Sequence, residues 1–475
     1  MNGETAPGLG FSIEIDATSA VAFDADRVEA LITVAAYSTG IAASAARTAE
    51  VLIMDRSRSM MSQNKIDEAR RAACAAIDTL PDGSLLGIVG GSTGAERVFP
   101  PAGRLVPVDA ATRTAAKRQV MSLWPEGGTR IGRWLVAAAE LFATGPASGI
   151  VRHAVLYSDG KNEHESREEL DDALRGCADR FVCDVRGLGV DWDFRELLHI
   201  AEALGGEARA VIDVADLTDD FTGLMRRAGR LVVPRAYLRL SPDSRFRVES
   251  VSQTHPVQAE LARSHRQADG TVIDVPLGPW EQETRSYQLT LRYQPDSLPV
   301  ADDVRATPVE LLAETAEGLL ERRADAALVV RRHEMGVGIT ARPERFTQVA
   351  KVRELTFAIR GCADAWFEGR ADDADDELDR AITLATELGD VRLRLLNGVA
   401  IRRPDGTARL RPDVARGDML ELGMDSTKTG RPPARVASPP PAGGRTCGEC
   451  GETTYGADPK CCENCGAPFD GKGMS

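Results

Sequence analysis

Apolar and polar residues alternate in the first part of the chain and again after residue 230. Phe11 to Ile15 and Val28 to Val34 alternate as expected for strands with one buried face. The alternation returns between Leu231 and Tyr293. Four strands are expected there, at 236–240, 246–251, 272–275 and 287–291. The pattern predicts a β-rich, sandwich-like domain at 231–335, to which the N-terminal segment 1–45 contributes strands.

A different pattern fills residues 48–230, where short apolar runs alternate with amphipathic helical stretches. Strands are expected at 51–54, 85–89, 154–157, 181–190 and 209–214, and helices at 66–80, 131–142, 194–204 and 219–228. Strands that alternate with helices in this way predict a parallel sheet covered on both faces. The fold class predicted for this domain is therefore α/β, doubly wound and Rossmann-like.

The C-terminal third is predicted to be mainly helical before it becomes rich in proline. A helix-like stretch at 311–321 and a strand at 327–331 are followed by a helical region at 342–425. Within this region, helices at 346–367 and 376–388 are expected to form a hairpin that ends at a glycine cap, Gly389. Residues 426–445 contain five prolines and predict a linker, because such a segment has no core of its own.

Composition narrows the choice of partners. The 475 residues include 58 Lys and Arg against 72 Asp and Glu, a net charge of −14, which disfavours non-specific binding to nucleic acid or to an anionic membrane. Neither a signal peptide nor an apolar segment long enough to span a membrane is apparent, so a cytoplasmic protein is expected. A phosphate-binding Gly-x-x-x-x-Gly-Lys loop is also lacking, which argues against ATP hydrolysis by this chain.

Polar residues follow two of the predicted strands and precede one predicted helix. Asp55, Ser57 and Ser59 come directly after the strand at 51–54, Gly127-Gly128-Thr129 precedes the helix at 131–142, and Ser158-Asp159-Gly160 follows the strand at 154–157. Ligands of doubly wound sheets collect at the carboxyl ends of the strands. Hydroxyl and carboxylate oxygens at that edge are suitable ligands for a hard cation such as Mg²⁺.

These three motifs, in this order, resemble the metal-ion-dependent adhesion site of von Willebrand factor A domains. The resemblance covers residues 48–230. It implies that Mg²⁺ or Mn²⁺ is held by five residues: Asp55, Ser57, Ser59, Thr129 and Asp159. It further implies that the two carboxylates act largely through water, which leaves the ion able to accept an Asp or Glu side chain from a protein partner.

Charged residues near these motifs leave several interpretations open. Arg56 and Arg58 separate the motif residues, where the family often has glycine at the second position, and they bear on metal affinity. Arg58 either stiffens the loop, contacts an acidic partner or is simply solvated. Residues 161–165 follow Asp159 and are expected on the same rim, where they either influence the choice of partner or form an ordinary charged loop.

Four cysteines near the end of the chain form two Cys-x-x-Cys-Gly turns. Cys447, Cys450, Cys462 and Cys465 predict a tetrahedral Zn²⁺ site in a zinc ribbon at 446–470. Cys461 could replace Cys462 in a shifted register, although the repeated glycine favours Cys462. Acidic residues outnumber basic ones around these turns, so that a protein contact or a structural role is favoured over nucleic-acid binding.

We therefore expect a non-enzymatic interaction protein that binds partners through a metal. The overall plan resembles stand-alone bacterial proteins of the von Willebrand A type, as found in actinobacteria, which implies an AAA+ ATPase or proteins of signalling and stress responses as partners. The alternative is a Mg²⁺-dependent hydrolase at the same cluster, but two carboxylates are few for a two-metal enzyme. Gly90 to Gly94 matches a nucleophile elbow, yet a turn between two strands is favoured because extended chain follows it.

Overall fold

The computed structural model describes residues 9–17, 20–39, 45–261, 264–265, 271–334, 344–429, 445–446 and 453–454. The chain divides into a large compact unit, residues 1–430, and a small one, residues 431–475. Within the large unit, three parts are continuous in space: a doubly wound α/β part, a two-sheet β part and a group of C-terminal helices.

The strands and helices of the large unit are numbered in chain order. The strands are β1 (Leu9–Ala17), β2 (Ala20–Val21), β3 (Arg27–Ser38), β4 (Arg47–Asp55), β5 (Leu85–Gly91), β6 (Ala95–Phe99), β7 (Val106–Pro107), β8 (Ile150–Ser158), β9 (Val182–Leu188), β10 (Ala208–Val211), β11 (Val233–Leu240), β12 (Phe246–His255), β13 (Ala259–Glu260), β14 (Ser264–His265), β15 (Ile273–Trp280), β16 (Thr284–Tyr293), β17 (Asp303–Glu314), β18 (Leu320–Arg332), β19 (Ala400–Arg402) and β20 (Ala408–Leu410). The helices are α1 (Lys65–Thr79), α2 (Ala110–Met121), α3 (Ile131–Phe142), α4 (Arg167–Cys177), α5 (Phe194–Ala203), α6 (Leu217–Ala228), α7 (Glu344–Phe367), α8 (Ala371–Leu388), α9 (Leu393–Val399) and α10 (Arg416–Asp425).

The α/β part confirms the predicted fold class. Its sheet has the order β10-β9-β8-β4-β5-β6, and the first five strands of this order are parallel. Apolar side chains of α3, α4 and α5 pack on one face, while those of α1, α2 and α6 pack on the other. Residues 51–54 are all buried because β4 lies between two covered faces.

Two short strands extend this sheet beyond its parallel portion. Both β6 and β7 pair antiparallel with β5. Gly90 and Gly91 end β5, and residues 92–94 form the turn to β6. The interpretation of this glycine-rich segment as a turn between two strands, in preference to a nucleophile elbow, is therefore confirmed.

The β part consists of two sheets that enclose one apolar core. One sheet has the order β1-β3-β16-β12-β13 and the other the order β14-β15-β11-β17-β18-β2. The N-terminal strand β3 therefore pairs with β16, which lies some 250 residues later. The α/β part is inserted between these strands, and its two ends lie side by side, because the Ala46 N–H donates to the Leu231 carbonyl oxygen at 2.8 Å.

Two sequence-based expectations in the C-terminal third were wrong. The helix expected at 311–321 is instead the end of β17 and the start of β18, because residues 311–314 pair with β18 and β11 supplies the other neighbour. The second helix of the hairpin begins at Ala371, five residues earlier than expected, with Asp372 and Asp373 in its first turn. The cap at Gly389 is confirmed, since this residue ends α8 in the left-handed conformation.

The C-terminal helices pack on the α/β part through an extension of its apolar core. Side chains from α7 to α10 join the cluster formed by α3, α4 and α5, and the rings of Phe194 and Phe367 are 5.7 Å apart. A buried ion pair between Asp390 and Arg392 also fixes α9 near the end of α10, because Arg392 donates to the Ser426 carbonyl oxygen at 2.6 Å.

In the small unit, the described residues form one short antiparallel pair, β21 (Arg445–Thr446) with β22 (Thr453–Thr454). The four predicted zinc ligands, Cys447, Cys450, Cys462 and Cys465, lie outside the described residues, as do Cys461 and most of the proline-rich segment. Among the helices that the structure describes, none combines the length and the apolar character needed to cross a membrane.

Candidate metal centre

The carboxyl ends of two neighbouring parallel strands place Asp55 beside Ser158. Met54 of β4 pairs with Tyr157 of β8, so the next residue of each strand emerges at the same edge of the sheet. The Ser158 hydroxyl donates to Asp55 Oδ2 at 2.6 Å, and the Ser57 N–H donates to Asp55 Oδ1 at 2.7 Å. Asp55 is therefore held by Ser57, in the loop after its own strand β4, and by Ser158, at the end of the neighbouring strand β8.

The other predicted ligands converge on the same point. The hydroxyl oxygens of Ser57 and Ser59 are 2.8 Å apart, and the Ser59 hydroxyl donates to Asp159 Oδ1 at 2.6 Å. Asp55, Ser57, Thr129 and Asp159 are buried, whereas Ser59 is exposed. The site thus has a buried floor and one open side.

The backbone of Gly160 lines the space that these oxygen atoms surround, which we call the cradle. A Cβ atom at this position would lie 3.1 Å from Thr129 Oγ1, 3.4 Å from Ser59 Oγ and 4.0 Å from Asp55 Oδ2. Glycine leaves this space free, and three hard oxygen donors face it. The donor set of three hydroxyls and two carboxylates fits a hard divalent cation such as Mg²⁺ or Mn²⁺.

Lys65 is a further charged residue of this site, and the sequence motifs do not contain it. Its ammonium group donates to Asp159 Oδ2 at 2.7 Å and is 3.6 Å from Asp191, although the side chain is only 1% exposed. Burial, together with the negative charge of Asp159, raises the pKa of Asp55 to about 6. The floor of the site therefore combines the side chains of two aspartates with that of one lysine.

The two arginines of the motif play different roles. Arg56 is largely buried and bridges Glu96 and Glu126 at 3.0 Å each, which ties the Asp55 loop to β6 and to the loop that carries Thr129. Arg58 has an exposed side chain, while its backbone N–H donates to the Gly127 carbonyl oxygen at 3.2 Å. Its side chain, which has no ion pair among the described residues, is thus available at the rim.

Segment 160–165 supports the start of α3. Asn162 Oδ1 accepts the Ile131 N–H at 3.0 Å, and Glu165 accepts the Gly132 N–H at 2.8 Å. The ring of His164 lies where a side chain at Gly128 would have to be, so that only glycine allows this contact. Part of this segment therefore holds Thr129 in place, while Lys161 and Glu163 remain exposed.

Comparisons with known proteins identify the family to which this fold belongs. A family model described as the von Willebrand factor type A domain matches residues 49–210. A solved structure described as von Willebrand factor type A from Catenulispora acidiphila is 31% identical, with a TM-score of 0.80, and the match covers 90% of this chain and 98% of that one. The chain belongs to the von Willebrand factor type A family.

Other members of the comparison are more distant. The ArnB paralog VWA2 from Sulfolobus acidocaldarius is 15% identical with a TM-score of 0.53, and the match covers 88% of this von Willebrand A protein and 98% of that chain, which shows a shared fold. Proximal thread matrix protein 1 from the mussel byssus, solved with a zinc-occupied metal-ion-dependent adhesion site, is 21% identical with a TM-score of 0.32 over 40% of this chain and 47% of that one. No curated protein matches the sequence.

Proposed function

We propose that this protein binds protein partners through a divalent cation at the centre formed by Asp55, Ser57, Ser59, Thr129 and Asp159. The convergence of these five side chains at one open edge of the sheet carries the proposal. Domains of this family generally mediate protein–protein contacts and are not catalytic. The bound cation would supply a Lewis-acidic position for a carboxylate, and the surrounding residues hold that position open to solvent.

Charge balance favours an acidic partner residue. Lys65 offsets one of the two carboxylates, so a divalent cation would leave the centre with a net positive charge. An Asp or Glu from a partner would neutralise this charge, whereas a basic or neutral residue would not. Only two carboxylates, Asp55 and Asp159, belong to the proposed ligand set, which is few for a two-metal hydrolase and favours binding over hydrolysis.

Metal binding to the full-length protein tests the first half of this proposal. Mn²⁺ titration followed by electron paramagnetic resonance should find one site per chain that is lost in Asp55→Ala and weakened at least tenfold in Gly160→Ala, whose Cβ would enter the cradle. Gly94→Ala is the matched control, because a Cβ there meets nothing within 4 Å. Equal Mn²⁺ affinity in all these variants would contradict the proposal.

A second proposed centre is a zinc ribbon at Cys447, Cys450, Cys462 and Cys465. The two-residue strands β21 and β22 bracket the first Cys-x-x-Cys pair in sequence, as the strands of a small zinc-binding hairpin would, which supports the assignment. Elemental analysis of purified protein should find one zinc per chain in the wild type and a marked loss in Cys450→Ser. Cys461→Ser should keep its zinc, and an unchanged zinc content in Cys450→Ser would reject the site.

The wider setting follows from the same proposal. An acidic-residue receptor with a tethered ribbon suits a cytoplasmic scaffold that works with an AAA+ ATPase or with signalling proteins. A pull-down in Mg²⁺ or in EDTA, with wild type and Asp55→Ala, would identify such partners. EDTA also removes zinc, so the same comparison with Cys450→Ser separates the two metals.

A further inference from the structure

Three large apolar side chains are exposed on the two chain segments that lead to the predicted ligands Ser59 and Thr129. Trp124 is 66% exposed, Met61 60% and Met121 52%. Met61 follows Ser59 in the segment between β4 and α1. Met121 is the last residue of α2, and Trp124 lies between α2 and α3, before Thr129. We call these three residues the apolar rim. Exposed side chains of this size on ligand-bearing loops are typical of interaction surfaces, in which Trp and Met are enriched.

The backbone beneath Trp124 is fixed although its indole is exposed. Arg70 donates to the Leu123 carbonyl oxygen, and Arg56 donates to the Trp124 carbonyl oxygen at 3.4 Å. Leu123 itself is buried in the core. The loop is therefore held by two arginines and by one anchoring side chain. An aromatic side chain on such a loop loses little conformational entropy when a partner covers it.

The loop that carries Met61 is held in the same way. Met60 is fully buried, its N–H donates to the Ser57 carbonyl oxygen at 3.1 Å, and the Ser62 hydroxyl donates to the Ser59 carbonyl oxygen at 2.8 Å. Two loops are also joined across the site, because the Glu126 N–H donates to the Arg56 carbonyl oxygen at 2.7 Å. The two segments that carry Met61 and Trp124 are thus joined to each other and to the segments that carry Ser59 and Thr129.

Charge on this surface matches an acidic partner. Arg58 and Lys161 are exposed at the metal centre, and neither has an ion pair within the part of the chain that the structure describes. An acidic segment would find both a coordinating position and flanking positive charge.

We propose that the apolar rim, with Arg58 and Lys161, binds a protein segment in which the metal-bound Asp or Glu is adjacent to a bulky apolar residue. The inference rests on the proposed function and adds to it the chemistry next to the acidic residue. The apolar neighbour packs on Trp124 and the methionines, and the carboxylate reaches the cation. Acidic residues without such a neighbour bind more weakly.

Selection from a random peptide library displayed on phage tests this specificity. The full-length protein is the target in Mg²⁺, and bound phage are eluted with EDTA. Peptides with an acidic residue next to Phe, Trp, Tyr, Leu, Ile or Met should be enriched. A synthetic peptide with Glu followed by Phe should bind about tenfold more tightly than its Glu-Ala counterpart, which corresponds to about 1.4 kcal/mol.

Variants assign the effect to the rim. Trp124→Ala should bind the Glu-Phe and Glu-Ala peptides within twofold of each other and keep the wild-type affinity for Mn²⁺. Phe357→Ala is the matched control, because this residue is 63% exposed on α7 and carries no predicted ligand. Acrylamide quenching gives a direct signal, since Trp134, Trp192 and Trp280 are fully buried and Trp124 is the most exposed of the five tryptophans.

Each contrary outcome has a separate meaning. The role of the apolar rim would be rejected, and the proposed function left intact, by either of two results. One is enrichment of acidic peptides without apolar neighbours, and the other is a Trp124→Ala variant that still prefers Glu-Phe. Absence of EDTA-eluted acidic peptides would overturn the proposed function as well. Trp124-dependent binding to phosphatidylglycerol vesicles, or Trp124-dependent self-association in light scattering, without peptide selection, would assign the rim to a lipid surface or to a second copy and reject the peptide.

Discussion

Lys65 gives the metal centre a property that its sequence motifs do not predict. The side chain of Lys65 is 1% exposed and forms an ion pair with Asp159. It therefore offsets part of the negative charge that a bound metal ion would otherwise neutralise. It should therefore stabilise the metal-free protein and weaken the binding of a cation. It should also make the loaded centre more positive, which favours an acidic partner.

Replacement of Lys65 separates these effects. In Lys65→Met, the free energy of unfolding without metal should fall by about 3 kcal/mol, because Asp159 loses the partner of a buried ion pair. The rise in melting temperature on addition of Mg²⁺ should become larger than in the wild type. Lys117→Met, which breaks a surface pair with Asp78, is the control and should change both quantities little. An unchanged Mg²⁺ effect in Lys65→Met would contradict this role.

A second group of buried charged residues lies near the amino ends of the central strands of the same sheet. His153 on β8 contacts Glu50 on β4 at 2.7 Å and Asp184 on β9 at 3.2 Å. Burial alone would lower the pKa of His153, but these two carboxylates raise it to about 10. The histidine thus links three adjacent strands as a buried cation.

The stability of the protein should depend on pH through His153. In the unfolded chain, the pKa of histidine is about 6.5, so the folded state holds this proton more tightly. The contribution is complete below about pH 6.5 and is lost as the pH rises toward 10, at roughly 1 kcal/mol per pH unit. Urea unfolding at pH 7 and pH 8 should show this decline in the wild type, and His153→Gln should show a smaller one. An equal slope in both would contradict the assignment.

At the scale of elements, the start of α3 depends on side chains from the loop after β8. Asn162 accepts the Ile131 N–H, and Thr129 lies only two residues before this helix. Ser166 plays a comparable part for α4, where its hydroxyl accepts the Glu169 N–H at 3.2 Å. The two caps have similar chemistry, but only one supports a predicted ligand.

This difference predicts the behaviour of two cap variants. Asn162→Ala and Ser166→Ala should each lower the free energy of unfolding by about 1 kcal/mol, since each removes a side-chain cap. Asn162→Ala alone should also weaken Mn²⁺ binding several-fold, because Thr129 is then less well fixed. Chemical denaturation and Mn²⁺ titration on the same samples measure both effects. Equal Mn²⁺ affinities in the two variants would show that Thr129 does not depend on this cap.

The sequence predicted that the five candidate ligands would meet, because strand ends in a parallel sheet share an edge and the resemblance to von Willebrand A domains adds Thr129, which precedes a helix. It did not predict Lys65, which lies one residue before the expected start of α1. Gln63 and Asn64, just before this helix begins, have positive φ angles of 52° and 62°. No sequence motif predicts this backbone conformation. The segment 311–321 was wrongly expected to be helical because its apolar spacing fits a helix, whereas pairing with β11 and β18 decides its conformation.

On the scale of the whole molecule, the α/β part is inserted in sequence between two sets of strands that together form the β part. β3 occupies an inner position of its sheet, between β1 and β16, and Ile32 and Val34 on this strand are fully buried in the core. The β part is therefore completed only when residues from both sides of the inserted α/β part come together. The 2.8 Å hydrogen bond between Ala46 and Leu231 shows how close the two ends of the insertion are.

Deletion of the insertion tests whether the β part is one folding unit. A fragment of residues 231–334 should fail to unfold cooperatively, because without β3 the side chains that cover Ile32 face water and β16 has an unpaired edge. A joined chain, in which a short Gly-Ser linker connects residues 9–46 to residues 231–334, should regain a cooperative thermal transition. The two ends that the linker connects already lie within hydrogen-bonding distance. Ile32→Asp in the joined chain should abolish that transition. Fragment 231–334 unfolding as cooperatively as the joined chain would instead show that the later strands form an independent domain to which β1 and β3 are accessory.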